Sequence, residues 1–215
     1  MAGLGLGLLG WWAWWQAGRA EVIELAGRDV AAAARLLVRD AGVDFSRCRS
    51  GATADDREHL LAALATLETF ATSPLERFAE RCVVAVAGLT GTPVPNWSFG
   101  PAQIRLSTAR RALARAGKPM TPPEPVTGRR RIARRLLRLC PSRDIGLAVL
   151  QKEYGLAGKA GAALTLGDIE RVAARYNGQD VAGDTKGQIA NRIYVLLAYH
   201  LFQHYRFKAL AHRPR

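Results

Sequence analysis

Along most of the chain apolar side chains recur at every third or fourth position, the period of a helix with one face against a core. Val22, Leu25, Ala26, Val30, Ala33 and Leu37 set this rhythm over residues 21–39 and predict a first amphipathic helix. A polar break covers 44–53. The next helix is expected over 55–69, with Leu60, Leu64 and Leu67 as its apolar stripe and Asp55 and Asp56 at the positive end of its dipole. Ser73, Pro74 and Glu76 then combine an N-cap, a proline at the first helical position and a capping-box acid. The helix they open should run to about residue 87. Its expected inward face is Leu75, Phe78, Cys82 and Val86, which leaves Glu76 and Glu80 beside Arg77 and Arg81 as solvated ion-pair partners.

Gly88, Gly91, Pro93, Pro95, Asn96 and Ser98 mark 88–99 as a loop. A helix over 107–116 stops at Gly117, and a proline-rich connection covers 117–128. Basic helices are expected at 129–139 and 143–153, a further helix near 168–176 and a long one over 188–207. No alternating run suggests a sheet, and no repeat period is visible. The fold class is mostly α.

Residues 1–18 differ from the rest. They hold no charged side chain, and Trp11, Trp12, Trp14 and Trp15 crowd their second half. As a helix the stretch spans about 27 Å, just short of a hydrocarbon core of about 30 Å. Clustered tryptophans suit a membrane interface. The segment reads as a hydrophobic anchor or signal sequence, with Ala17, Gly18 and Ala20 offering a cut site, although the basic residues Arg19 and Arg28 follow it rather than precede it. A helix packed on the domain is the plainer alternative. Residues 21–215 form the helical domain.

At 215 residues the chain is long enough for one ordinary domain, and 49% hydrophobic residues exclude a wholly disordered one. A net charge of +13 points to a polyanion: nucleic acid, anionic lipid or an acidic wall polymer. Arg129, Arg130, Arg131, Arg134, Arg135 and Arg138 concentrate that charge on one short helix. A solvated helix face is the plain reading, and contact with lipid headgroups, wall polymer or phosphates the functional one. Cys48, Cys82 and Cys140 are too few for a disulfide framework and fit no zinc spacing; one bridge with one thiol left over is allowed. His200 and His204 are four apart on a helix, but no acidic residue completes a metal set, so neither metal nor organic cofactor is assigned.

Three segments carry candidate chemistry. Glu68 lies four positions after Leu64 and eight after Leu60, at the end of a buried stripe. Burial there raises a carboxyl pKa, as a general acid requires; a buried carboxylate paired to Arg77 or a backbone group is the purely structural alternative, and the one periodicity alone favours. The loop Asn96–Ile104 contains Ser98, Gly100 and Gln103: the glycine allows an unusual torsion or a close approach, and the glutamine offers both donor and acceptor. Ala174-Arg175-Tyr176-Asn177-Gly178 presents Tyr176 and Asn177 at a helix end, with Gly178 suited to the turn beyond it.

In this order the segments resemble the lysozyme-like superfamily, in particular lytic transglycosylases and goose-type lysozymes, over roughly residues 54–202. The matching pieces are Glu68, then Ser98, Gly100, Gln103 and Ile104 running into Thr108-Ala109, then Tyr176-Asn177-Gly178, and Tyr194. Ser98 and Gly100 are one residue closer than in that pattern, Thr69 replaces the usual serine after the acid, and Glu68 lies further upstream, so the branch is divergent. The resemblance implies a lysozyme-like helical domain that cleaves peptidoglycan between N-acetylmuramic acid and N-acetylglucosamine, outside the cytoplasm, without a cofactor. Glu68 would be the acid and base; Ser98, Gly100, Gln103, Tyr176, Asn177 and Tyr194 would position the sugars. Glu80, twenty positions before Gly100, is the second candidate acid, and Asp180 or Asp184 could activate water. A basic nucleic-acid-binding module and an inactive, membrane-tethered wall-binding protein are the rival readings; nucleic acid ranks below the wall as a partner.

Overall fold

The computed structural model describes residues 18–49, 54–117, 125–159, 161–177 and 185–211. These are mostly helical. In chain order the helices are α1 (18–28), α2 (Val30–Ala41), α3 (Asp56–Ala71), α4 (Pro74–Thr90), α5 (Leu106–Arg115), α6 (Pro125–Leu136), α7 (Leu139–Lys152), α8 (Leu166–Tyr176) and α9 (Thr185–Ala211), with a short 3₁₀ turn at Ser46–Cys48. The hydrophobic segment 1–17, Gly178, Asp180 and Asp184 lie outside the described residues. Among the described residues no helix is long and apolar enough to cross a membrane.

The helix expected over 21–39 is two helices. Asp29 is extended at φ −147°, and its Oδ1 accepts the Ala32 N–H, so it caps α2 and breaks the helix without disturbing the apolar rhythm. Asp55 caps α3 in the same way. At α4 the capping box forms as the sequence predicts: Ser73 Oγ accepts from Glu76 N–H, and Glu76 Oε2 accepts from Ser73 N–H at 2.6 Å. A second box, Thr165 with Asp168, opens α8. The loop expected over 88–99 begins only after Thr90 and ends in a two-residue strand: β1 (Ser98–Phe99) pairs antiparallel with β2 (Ile104–Arg105). Strands this short leave no alternating signature.

α3 is the centre of the molecule. Every residue from Glu58 to Leu67 is buried, and the helix packs chiefly on α9, with α2 and α7 on other sides. A helix covered all round needs apolar or small residues on every face, which Leu60–Ala65 supplies. α7 comes closest at Gly146, where a Cβ would stand 2.6 Å from Leu61 Cδ1. Around the near end of α3 the buried Glu58 carboxylate accepts from Arg49 and from Arg143, whose Nη2 lies at 2.7 Å. Beside this ion cluster a disulfide joins Cys48 to Cys140, with Cα atoms 5.0 Å apart, and leaves Cys82 as a free exposed thiol.

One expected face is reversed. On α4 the sequence places Leu75, Phe78, Cys82 and Val86 inward; in the structure these are exposed, and Glu80, Val84 and Ala87 are buried. Glu80 is therefore not a solvated ion-pair partner: it is 6% exposed.

Candidate active-site cleft

The far end of α3 opens onto a cleft of about 420 Å³. Glu68 lines it from α3, Ser98, Gln103, Ile104 and Arg105 from the β1–β2 hairpin, and Thr108 from α5. Val149 and Tyr154 come from α7 and the turn after it, and Arg175, Tyr176 and Asn177 from the end of α8. Residues scattered over more than a hundred positions thus meet on one surface.

Glu68 is half-buried, and the hydrogen bond its side chain receives among the described residues comes from Tyr194, whose hydroxyl donates to Oε1 at 2.8 Å. Burial pushes the Glu68 carboxyl above the ordinary glutamate range; the Tyr194 bond and the nearby positive charge of Arg77 pull the other way without cancelling it. The pairing with Arg77 considered from sequence is thus a charge effect at a distance rather than a hydrogen bond. Tyr194 itself titrates far above the usual tyrosine range because it is buried and faces the Glu68 charge, so it remains a donor.

The hairpin that faces Glu68 is held by Glu80. One carboxylate oxygen accepts the Gly100 N–H at 3.0 Å, and the other accepts Gln103 Nε2 at 2.6 Å. Gln103 Nε2 also donates to the Gly100 carbonyl at 3.0 Å. Two acceptors therefore consume both amide hydrogens and fix the amide's orientation, leaving Oε1 as the acceptor of a side chain that lines the cleft. Burial raises the Glu80 carboxyl pKa, against the lowering effect of the two donors. Both Glu80 oxygens are turned to the hairpin, and Glu80 is not among the described residues that line the cleft.

Gly100 meets both demands that its residue type suggests. Its φ is +76°, and a Cβ would fall 1.9 Å from the Leu136 carbonyl oxygen between α6 and α7. It is buried, and its backbone rather than any side chain shapes the loop. Gln103 is the described non-glycine residue at positive φ, +45°, so the turn carries backbone strain at the cleft wall.

Tyr176 also works on this loop: its hydroxyl donates to the Ala102 carbonyl. Its ring lies 5.7 Å from that of Tyr154, and the Arg175 guanidinium sits 5.5 Å above the Tyr154 ring. Asn177 Nδ2 donates to Asn191 Oδ1 at 3.4 Å, tying the end of α8 to α9. Of the residues singled out from sequence, Glu68, Ser98, Gln103, Tyr176 and Asn177 line the cleft; Tyr194 reaches it through Glu68, and Gly100 through the hairpin. Sequence reasoning missed Tyr154, which has no motif around it, and the lining roles of Arg105 and Arg175, which stand next to noted motif residues.

Among the described lining residues Glu68 is the sole carboxylate, and no group of three or more metal-ligating side chains is found among the described residues. The described lining offers one carboxyl group, amide and hydroxyl side chains, and two arginines. Searches of protein-family models, characterised proteins and solved structures return no match to this chain.

Proposed function

We propose that the protein cleaves peptidoglycan at the bond between N-acetylmuramic acid and N-acetylglucosamine, as a lytic transglycosylase or lysozyme with a lysozyme-like helical domain. The observation that carries this reading is Glu68: a carboxyl with its pKa raised by burial, hydrogen-bonded by Tyr194, in a cleft lined by amide, hydroxyl and guanidinium side chains. A general acid needs that protonation behaviour near neutral pH.

In the reaction the Glu68 carboxyl donates its proton to the glycosidic oxygen as the bond to C1 breaks. The resulting carboxylate then accepts the proton of the sugar's own C6 hydroxyl while that oxygen attacks C1, giving a 1,6-anhydro product and returning the acid to its starting state. Tyr194 donates to the carboxylate stage and stabilises it. Gln103 Oε1 suits an acetamido N–H or a hydroxyl, and Ser98, Thr108 and Asn177 supply further polar contacts. Arg105 and Arg175 complement the carboxylates of peptide stems on the glycan. A hydrolytic, inverting route needs a second carboxylate about 6.5–9.5 Å from the first. Glu68 is the sole carboxylate among the described lining residues, and Asp180 and Asp184 lie outside them; the product is a 1,6-anhydro sugar if Glu68 works without a partner and a reducing sugar if one of these delivers water.

The Cys48–Cys140 bond supports a place outside the reducing cytoplasm, where the wall is, with attachment or export through residues 1–18. The test is incubation of the purified protein and Glu68→Gln with peptidoglycan, followed by mass spectrometry of released muropeptides. Wild type should release muropeptides, and Glu68→Gln should lose about 10²–10⁴ in rate while staying folded. Absence of release by wild type, or an active Glu68→Gln, would sink the reading.

A further inference from the structure

α4 has two faces of opposite character. The inner one carries Glu80, which holds the Gly100–Gln103 hairpin. The outer one carries Leu75, Phe78, Val86 and Leu89 at 56%, 63%, 52% and 88% exposure, with the free thiol Cys82 at its centre. Residues 75, 78, 82, 86 and 89 follow the helical period, so they form one stripe about 21 Å long at about 1.5 Å per residue. A single exposed leucine is ordinary, but a contiguous apolar helix face marks a contact surface.

The neighbour of this stripe indicates what covers it. α6 packs along α4: Arg130 Nη1 donates to the Gly88 carbonyl at 3.1 Å, and the Arg134 guanidinium stands next to Gly88. Arg130 and Arg134 of α6 therefore edge the C-terminal half of the stripe, with Arg134 exposed, and Arg81 is exposed on α4 itself. The acid at the other end, Glu76, is engaged by the Ser73 N–H in the capping box. Apolar side chains bordered by guanidinium groups match the boundary between acyl chains and phosphates in a bilayer. A second copy of the chain would bring two arginine-edged strips together, like charge beside like.

We propose that the outer face of α4 docks on an anionic lipid bilayer, with Leu75, Phe78, Val86 and Leu89 entering the acyl boundary and the α6 arginines and Arg81 on lipid phosphates. Docking there would hold the cleft at a set height above the membrane, because the same helix supports the cleft wall through Glu80. Docking of this face involves no step of the glycan chemistry, and no glycan enters its test.

Cys82 is the free thiol of the chain, so an environment-sensitive nitrobenzoxadiazole label can be placed on the stripe of the full-length, non-reduced protein. Phosphatidylglycerol vesicles should shift its emission to the blue and make it quenchable by spin-labelled acyl chains; phosphatidylcholine vesicles of equal size should not. Leu89→Glu should weaken the vesicle-dependent shift about tenfold or more, and the exposed pair Arg81→Glu with Arg134→Glu should weaken it and reduce its salt dependence. Thermal unfolding of each variant confirms that it is folded. Because the label reports α4 alone, vesicle binding without any change at Cys82 would overturn the proposal. So would a blue shift that needs no vesicles and grows with protein concentration, which would assign the stripe to a second copy.

Discussion

Replacing Gly100 by alanine adds a single methyl group where the cleft wall meets the α6–α7 junction, and the structure gives its cost in parts. At φ +76° an alanine stays in the left-handed region, which disfavours it by about 1–2 kcal/mol. Its Cβ would lie 1.9 Å from the Leu136 oxygen, where ordinary contact begins at 3.4 Å, so 3.4 − 1.9 = 1.5 Å of separation must be found. That oxygen is backbone and cannot rotate away as a side chain would. The relaxation open to the loop is to lift off Glu80, which sacrifices the Gly100 N–H bond to a buried carboxylate, about 1.5–3 kcal/mol. The total is about 2.5–5 kcal/mol, or roughly 5–20 °C in Tm for a chain of this size. Gly91→Ala is the internal control. Its φ is +70°, but nothing lies within 4 Å of the added methyl, so only the torsional cost of about 1–2 kcal/mol applies. Thermal unfolding followed by circular dichroism would compare the two. If Gly100→Ala loses no more than Gly91→Ala, the close approach to Leu136 and the role of Glu80 in the loop are both wrong.

Glu80→Gln turns an amide N–H₂ toward at least one of two donors and should cost about 1–3 kcal/mol in thermal stability, with lower turnover because Gln103 is released. Tyr194→Phe removes a donor that favours ionised Glu68, so the Glu68 pKa should rise further and the alkaline limb of the cleavage pH profile should move to higher pH; a shift to lower pH would contradict the arrangement. Since the folded-state pKa of Glu68 is raised, the protein binds that proton more tightly folded than unfolded. Its contribution to stability is fully present below the unfolded pKa and declines as pH rises through the folded one. Denaturant titrations of wild type and Glu68→Gln should therefore diverge as pH increases, in favour of the variant. Cys140→Ser opens a crosslink spanning 92 positions, worth about 4–5 kcal/mol on chain entropy, and should lower the denaturation midpoint by a corresponding amount.

Much of the helical framework is legible along the chain because its signals are local. Asp55, Ser73, Pro74 and Glu76 act within four residues of the helix start they fix, and the α3 stripe ends at Glu68 whatever packs around it. Gly100 likewise announces a backbone requirement that any fold must meet. The sequence alone also isolates the Gln103 loop and the Tyr176–Asn177 helix end as segments rich in hydrogen-bonding groups.

What it cannot settle is which neighbour each face receives. Periodicity on α4 identifies an apolar stripe, and local reasoning turns it inward; tertiary packing turns it outward instead. The inner face is decided by partners far along the chain. Glu80 is buried because the Gly100 and Gln103 donors, twenty and more positions away, satisfy both of its oxygens, and α6 lies alongside α4. A buried carboxylate with both oxygens hydrogen-bonded can be tolerated where an unpaired one cannot, and no local pattern encodes that compensation. The same holds at the cleft, where Tyr194 reaches Glu68 across 126 positions and Tyr154 joins it with no motif of its own. Element type follows from contacts within a turn of helix; the environment of Glu68 and Glu80 follows from contacts that exist only once the chain has closed on itself.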